Sequence, residues 1–368
     1  MQIFGNGGRA AVFHGIKEEF MVAAIELGKE YVQVCVKTGT MKEPESVTKV
    51  AGTEHYRIRT ECNTEEKTEL QELFRMLWKM ILPYGSRESL EYLVFCLEEN
   101  TDKTREMLLE IGKNYNIPVE KIRFTEKAEC FVSYVLHQSA ELLSHNSLLI
   151  ENHQGEKSKF LLHKRARTTP VVTEVREVSE KSLEGVFADH AISSVFLVGD
   201  DFEEEWMQQN LKVLRNGRRI FVGKNLYVKG ACYYAMDLLE DFQGYLYLGS
   251  EKVCCNIALK TEEQGKEALI TIVDGGKNWY ESSVSLEVLL LDEPELEFAV
   301  IPINGKEKKT IKVSLKELPK RPKKTTRLHI DLEFLEVNHA RLTIKDLGFG
   351  ELFPQSDMVY EGELQWEQ

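Results

Sequence analysis

At 368 residues, 42% hydrophobic and 29% charged, the chain has the composition of a globular protein with room for two or three domains. Its net charge of −13 argues against a surface built to coat nucleic acid or anionic lipid, and no run approaches the ~20 apolar residues of a membrane helix. The opening stretch MQIFGNGGRAAVFHGIKEEF lacks a basic segment followed by a long apolar one, so the expectation is a cytoplasmic protein without a signal peptide.

Residues 1–19 read as a leader, because Gly5, Gly7 and Gly8 precede no strand-to-helix turn of the phosphate-binding kind. MVAAIELGKEYVQVCVK (21–37) reads as two strands around a turn at Leu27-Gly28-Lys29, with period-two alternation from Tyr31 to Val36. In 65–82, Leu70, Leu73, Leu77, Met80 and Ile81 recur at helical spacing. EYLVFCL (91–97) is a short buried strand, and 100–117 follows as a helix capped by Thr101 or Asp102. Residues 122–143 begin as a strand and become a helix, and 147–164 form a hairpin around Gly155. Next come a strand at 194–198 and helices at 203–214 and 228–240; Asp200 or Asp201 caps the first of these, with Glu203 to Glu205 in its acidic first turn. Strand and helix alternate throughout, which predicts an α/β domain over 20–243, in halves of about 20–146 and 147–243.

From about 245 the pattern changes to short alternating runs such as CCNIAL, EALITIV and RLHIDLEFL, separated by Gly, Pro or charged turns. That spacing predicts a β-sandwich or barrel over 244–355, with a tail at 356–368. The basic run PKRPKKTTR (319–327) lacks interleaved aromatics and reads as a solvated loop. Gly348 and Gly350 are expected in a bulge or chain reversal, while Phe349, Phe353 and Trp366 either dock the last segment on the body, the favoured reading, or mark a partner surface. The seven cysteines show no CxxC pair and no zinc spacing, so no metal or redox centre is expected. No nucleophile–base pattern emerges, and no carboxylate pair stands out for acid–base work.

Five landmarks, in order, resemble the nucleotide-binding domain of the DnaK-type heat-shock chaperone, actin and sugar-kinase superfamily. AAIELGKEY is similar to its first phosphate hairpin, and LVFCLEENTDKTREMLLEIGKNYNIP to the strand and helix before the first connecting helix. IRFTEKAECFVSYVL is similar to that connecting segment, with Glu126 at its usual Glu. LLIENHQGEKSKFLL stands at the second hairpin, and SVFLVGDDFEEEWMQQNLKVL with LYVKGACYYAMDLL at the adenosine loop and second connecting helix, where Gly230-Ala231 is the small pair. The later strands resemble the family's substrate-binding β-sandwich. The resemblance, over about 22–350, implies an α/β actin-like (ribonuclease H-like) nucleotide-domain fold with reduced peripheral lobes, then a chaperone-type β-sandwich with no helical lid. It points to a shortened bacterial branch of that superfamily.

The same resemblance places a vestigial nucleotide cleft at Glu26, Gly28, Lys29, Glu126, Glu151, Gly155, Gly199, Asp200 and Gly230. Glu26 stands where an Asp is usual, and Lys29 and Glu30 replace two threonines. In the second hairpin Glu151 replaces Asp, His153 and Gln154 replace glycines, and Glu156 replaces a threonine; Asp200 replaces the second glycine of the adenosine loop. Glycines there let N–H groups face phosphate, and added carboxylates repel it. The expectation is a non-enzymatic, chaperone-like protein-binding scaffold with no catalytic residue, no metal and no cofactor, ATP and Mg²⁺ binding weakly at most. Its partner is a protein or peptide held by the β-sandwich, with no nucleic acid and no membrane. The alternative is a working ATP-dependent chaperone in which Glu26 and Glu151 hold Mg²⁺ through water.

Overall fold

The computed structural model describes residues 20–48, 57–60, 66–139, 144–153, 156–166, 171–178, 181–199, 202, 204–242, 244–263, 266–291, 294–303 and 307–366. The chain divides into two compact units, one ending at Tyr245 and one running from Leu246; the sequence places the change at 243/244.

The first unit contains two mixed sheets. In its first half the elements are β1 (Met21–Leu27), β2 (Tyr31–Thr38), β3 (Glu45–Ser46), β4 (Ile58–Arg59), α1 (Lys67–Ile81), β5 (Leu90–Leu97), α2 (Asp102–Asn114), β6 (Ile122–Glu126) and α3 (Lys127–Leu136). The sheet order is β3-β2-β1-β5-β6, with β4 also on β2. The neighbours of β2 are antiparallel, whereas β1, β5 and β6 run parallel. The second half comprises β7 (Asn146–His153), β8 (Glu156–Ala166), β9 (Val171–Glu177), α4 (Leu183–Asp189), β10 (Ile192–Gly199), α5 (Glu204–Arg215), β11 (Arg219–Gly223) and α6 (Leu226–Leu239). Its order is β11-β10-β7-β8-β9, again an antiparallel three-strand meander extended by two parallel strands, with a sixth short strand, β12 (Tyr245–Tyr247), beyond β9.

Period-two alternation explains how the first sheet is covered. Met21, Ala23, Ile25, Val32, Val34, Val36, Leu93 and Phe95 share a core with Leu70, Phe74, Leu77 and Trp78 of α1. The alternate residues are small: Ala24, Cys35 and Cys96 are buried, and α6 contacts β1, β2 and β5. The two connecting helices exchange sheets. α3 follows the first sheet, yet Phe131 and Tyr134 meet Phe196 of β10 at ring-centroid distances of 5.8 and 6.0 Å. α6 follows the second sheet and packs on the first. The helices cross at Gly230, where a Cβ would lie 1.9 Å from the Cys130 carbonyl oxygen. The described cysteines, 35, 96, 130, 232, 254 and 255, are free.

The three-residue β12 (Tyr245–Tyr247) spans the boundary between the units. The second unit then carries β13 (Cys255–Glu263), β14 (Lys266–Val273), β15 (Val284–Leu290), β16 (Glu295–Pro302), β17 (Lys309–Ser314), β18 (Thr326–Glu336), β19 (His339–Gly348) and β20 (Val359–Gln365). Two four-stranded antiparallel sheets, β14-β13-β16-β17 and β15-β18-β19-β20, share one core that includes Ile257, Phe298, Val313, Ile330, Leu342 and Leu364. Two antiparallel sheets on one core is the layering that a β-sandwich requires.

Two expectations need correcting here. The tail begun at 356 is instead the edge strand β20, paired with β19 from His339↔Gln365 to Lys345↔Val359. Its inward positions include Gly362 and only one large aliphatic, Leu364, so glutamates on the outer face mask the alternation. Trp366 follows it and is buried edge-on against Phe334, at 5.7 Å. The basic run is not wholly solvated either: the Arg321 side chain is 6% exposed and the Asp346 side chain 0%. Arg321 Nη1 and Nη2 each donate to one Asp346 oxygen at 2.7 Å, and Nη2 also reaches the Pro354 carbonyl. Asp346 further accepts from the amides of Gly348 and Ser356 and the Ser356 hydroxyl. Burial opposes the charge, but these donors hold the carboxyl far below the usual range. The cluster fixes the reversal after β19. Gly348 has φ +63°, and a Cβ there would lie 2.4 Å from the Phe353 carbonyl oxygen.

Candidate functional site

The two hairpins, β1–β2 and β7–β8, end beside the N-termini of α3 and α6, and their charged residues converge there. Lys127 is the first residue of α3. Its ammonium lies 3.2 Å from Glu151 Oε1 on β7 and 3.8 Å from Glu98 Oε1 just after β5. It also stands over the Tyr227 ring of α6, 5.4 Å from the centroid. Burial opposes its charge, but Glu151, Glu98 and Glu26 together hold the ammonium above its ordinary value. Tyr227 is buried and hydrogen-bonds Glu151; its hydroxyl is pushed well up, first by burial and then by Glu151 and Glu26.

Glu26, at the end of β1, is half-buried and accepts from Gln33 Nε2 at 3.2 Å. Burial pushes its carboxyl up to about 7, with Lys127 and Arg57 pulling it back down. Gln33 is 2% exposed; its amide also donates to the Lys224 carbonyl at 2.8 Å, and its Oε1 has no partner among the described residues.

The first hairpin turn spends its amides on the protein. Gly28 N donates to the Tyr31 carbonyl at 3.0 Å, and Lys29 N donates to Glu98 Oε2 at 3.0 Å. The Lys29 ammonium turns outward to Glu99 at 2.9 Å. Gly199 ends β10 with φ +116°, and a Cβ there would lie 2.2 Å from the Asn152 carbonyl oxygen, so glycine is what lets β10 approach β7.

Of the sequence-predicted residues, Glu26, Gly28, Lys29, Glu151 and Gly199 lie on these two hairpins and the adjoining strand end. Glu126 is the N-cap residue of α3, immediately before Lys127 in the chain. Gly230 sits deeper, in the helix crossing. Gly155 and Asp200, together with Gln154, fall outside the described residues, as does the side chain of His153. Lys127, Glu98, Gln33 and Tyr227 were not singled out from sequence. Gln33 offered no clear signal, since it falls on the alternate face of YVQVCVK with Cys35, and only the structure pairs it in register with Glu26. Lys127 offered none beyond its place beside Glu126.

Glu26 yields a pH-dependent expectation. Its folded value of about 7 lies above the ordinary 4.5, so between these pH values the folded state holds a proton that the unfolded state has lost. Stability from this group is therefore present below about pH 4.5 and is lost as pH rises through about 7. Glu26→Gln should flatten that decline, raising stability at pH 8 relative to wild type by at most on the order of 3 kcal/mol. Urea midpoints for both proteins at pH 5 and pH 8 measure it; a larger deficit of the variant at pH 8 than at pH 5 would contradict it.

The class defined so far is a two-sheet α/β unit with a charged inter-hairpin cluster, followed by a β-sandwich. The family described as "Family of unknown function (DUF5716) C-terminal" matches residues 45–250, more than half of the chain, and the protein belongs to it. A "Domain of unknown function (DUF8552)" matches 252–366. No curated protein matches. Solved structures similar to the chain include a Ppx/GppA phosphatase of Aquifex aeolicus, at 12% identity over 49% of this chain and 68% of that one, TM-score 0.31. Others are a glucokinase from Balamuthia mandrillaris (10%, 59% and 94%, TM-score 0.36) and YeaZ from Pseudomonas aeruginosa (6%, 62% and 100%, TM-score 0.33). Every one of these TM-scores is below 0.5, and none bears on function. Among the described residues no helix is long and apolar enough to cross a membrane.

Proposed function

We propose that the first unit is an actin-like nucleotide domain turned into a platform, and that the protein is a non-enzymatic, chaperone-like scaffold whose β-sandwich holds a protein or peptide. The repeated sheet order and the exchanged connecting helices support the actin-like reading. The single observation that carries the loss of nucleotide is the position of Lys127. A magnesium–triphosphate needs carboxylates free to order the cation's waters and hairpin amides free to face phosphate. Here an internal ammonium stands among Glu26, Glu98 and Glu151, and the Gly28 and Lys29 amides already donate to Tyr31 and Glu98. A phosphate entering would have to displace Glu98 from Lys29 and approach three carboxylates that share one ammonium. The residues present therefore do not fit the group.

Calorimetric titration of the full chain with ATP and Mg²⁺ tests this. The expected result is no saturable heat at millimolar nucleotide from protein shown to be folded. Binding tighter than about 100 μM, about −5.5 kcal/mol, and abolished by Gly28→Trp would overturn it in favour of a nucleotide switch.

A further inference from the structure

The sandwich has four edge strands, and three of them carry charges in mid-strand that discourage pairing with another chain. β17 has Lys309 and Lys312, β20 has Glu361 and Glu363, and β15 has Glu287. β14 differs in where its charges lie: Lys266 and Glu267 are at its hairpin end, from Ala268 to Val273 it has neither charge nor proline, and among the described residues it pairs only with β13. Its side chains are also under-covered. Ile270 stands opposite Leu259, which is 3% exposed, and so lies on the core face of the sheet, yet it is 57% exposed. The core face thus continues past the strand that should close it. On the outward face, Leu269 stands opposite Lys260 and is 43% exposed. There it borders an open hollow of about 450 Å³ that is also lined by Lys260, Glu267, Glu297 and Lys308.

We propose that the free edge of β14 is a strand-addition site for an extended segment of alternating apolar and polar residues. An open strand edge presents N–H and C=O groups that only another extended backbone satisfies in series. Alternation then sets the chemistry: residues of one parity fall beside Ile270 and extend the core face, while the others fall beside Leu269 on the outward face. Over 268 to 273 no charge on the edge repels such a segment; the strand's charges, Lys266 and Glu267, are confined to its hairpin end. This rests on the reading of the sandwich as the partner-binding unit, and it names the edge and the kind of segment.

The test uses the full chain and a capped peptide of repeated Val-Thr dipeptides matched in length to β14, read by hydrogen exchange and by anisotropy of a labelled copy. The control is the same peptide N-methylated at alternate residues, which removes its pairing donors. The expected result is new protection confined to β14 amides, absent with the control. Ile270→Lys should weaken binding at least about tenfold (about 1.4 kcal/mol), while Val359→Lys on β20 should leave it unchanged. Unaltered exchange protection of β18 and β19 in Ile270→Lys would show that the variant is folded. Protection on β15, β17 or β20 would overturn the site and leave the partner-binding reading standing. Concentration-dependent protection of β14 without peptide would overturn it in favour of self-pairing. Absence of saturable binding at millimolar peptide would also overturn it. Heat from ATP in the calorimetric titration would instead count against the scaffold reading alone.

Discussion

Asp346→Asn is expected to destabilise the second unit by about 3–5 kcal/mol at neutral pH, the cost typical of removing one partner from a buried ion pair. The variant keeps the side chain's shape but leaves the Arg321 guanidinium, 6% exposed, with no carboxylate to neutralise it. It also puts a second set of donors where Arg321, Ser356 and the Gly348 amide already donate. The pH dependence gives the effect a signature. A carboxyl held far below its unfolded value of ~3.9 contributes stability that is full above that value and is lost as pH falls through the folded one. The deficit of the variant should therefore be constant from pH 8 to about pH 5 and narrow below about pH 4. Urea unfolding, read by exchange protection of β18 and β19 amides, isolates this unit from the other. A deficit under 1 kcal/mol at pH 7, or one that grows on acidification, would show that the reversal after β19 does not depend on the pair.

Lys127→Met should cost the first unit about 2–4 kcal/mol at pH 8, discounted from the fully buried case because Lys127 and Glu151 are 29% and 22% exposed. Methionine fills the aliphatic part of the site but leaves Glu26, Glu98 and Glu151 facing one another without the ammonium. Protonation of Glu26, whose carboxyl burial raises to about 7, relieves part of the charge excess, so the deficit should shrink towards pH 5. Lys127→Arg, which retains the charge, should recover most of the loss. Exchange protection of β1 and β7 amides at both pH values measures it. A pH-independent deficit, or no recovery with Arg, would reduce Lys127 to a packing residue and remove the main support for a platform without nucleotide.

The secondary structure was legible because it rests on local periodicity. Helical spacing in α1 and period-two alternation in β2 arise within a few residues, and the turn to short alternating strands near residue 245 marks where the second unit begins. The hairpin positions of Glu26, Gly28, Lys29 and Glu151 were likewise legible, because hairpin turns are written in adjacent residues. Missed elements share one cause: their meaning depends on residues far away in the chain. Lys127 acquires its role only because β7, 24 residues on, brings Glu151 within 3.2 Å. Arg321 looked like one charge in a solvated run until the fold set it against Asp346, 25 residues later. Gly230 resembled a ligand-facing glycine, but its packing is set by the Cys130 backbone on another helix. Composition and alternation determine which residues turn inward. Which charges meet, and whether a glycine faces a ligand or a helix, was decided by the tertiary structure, because electrostatic and steric interactions follow distance in space and not along the chain.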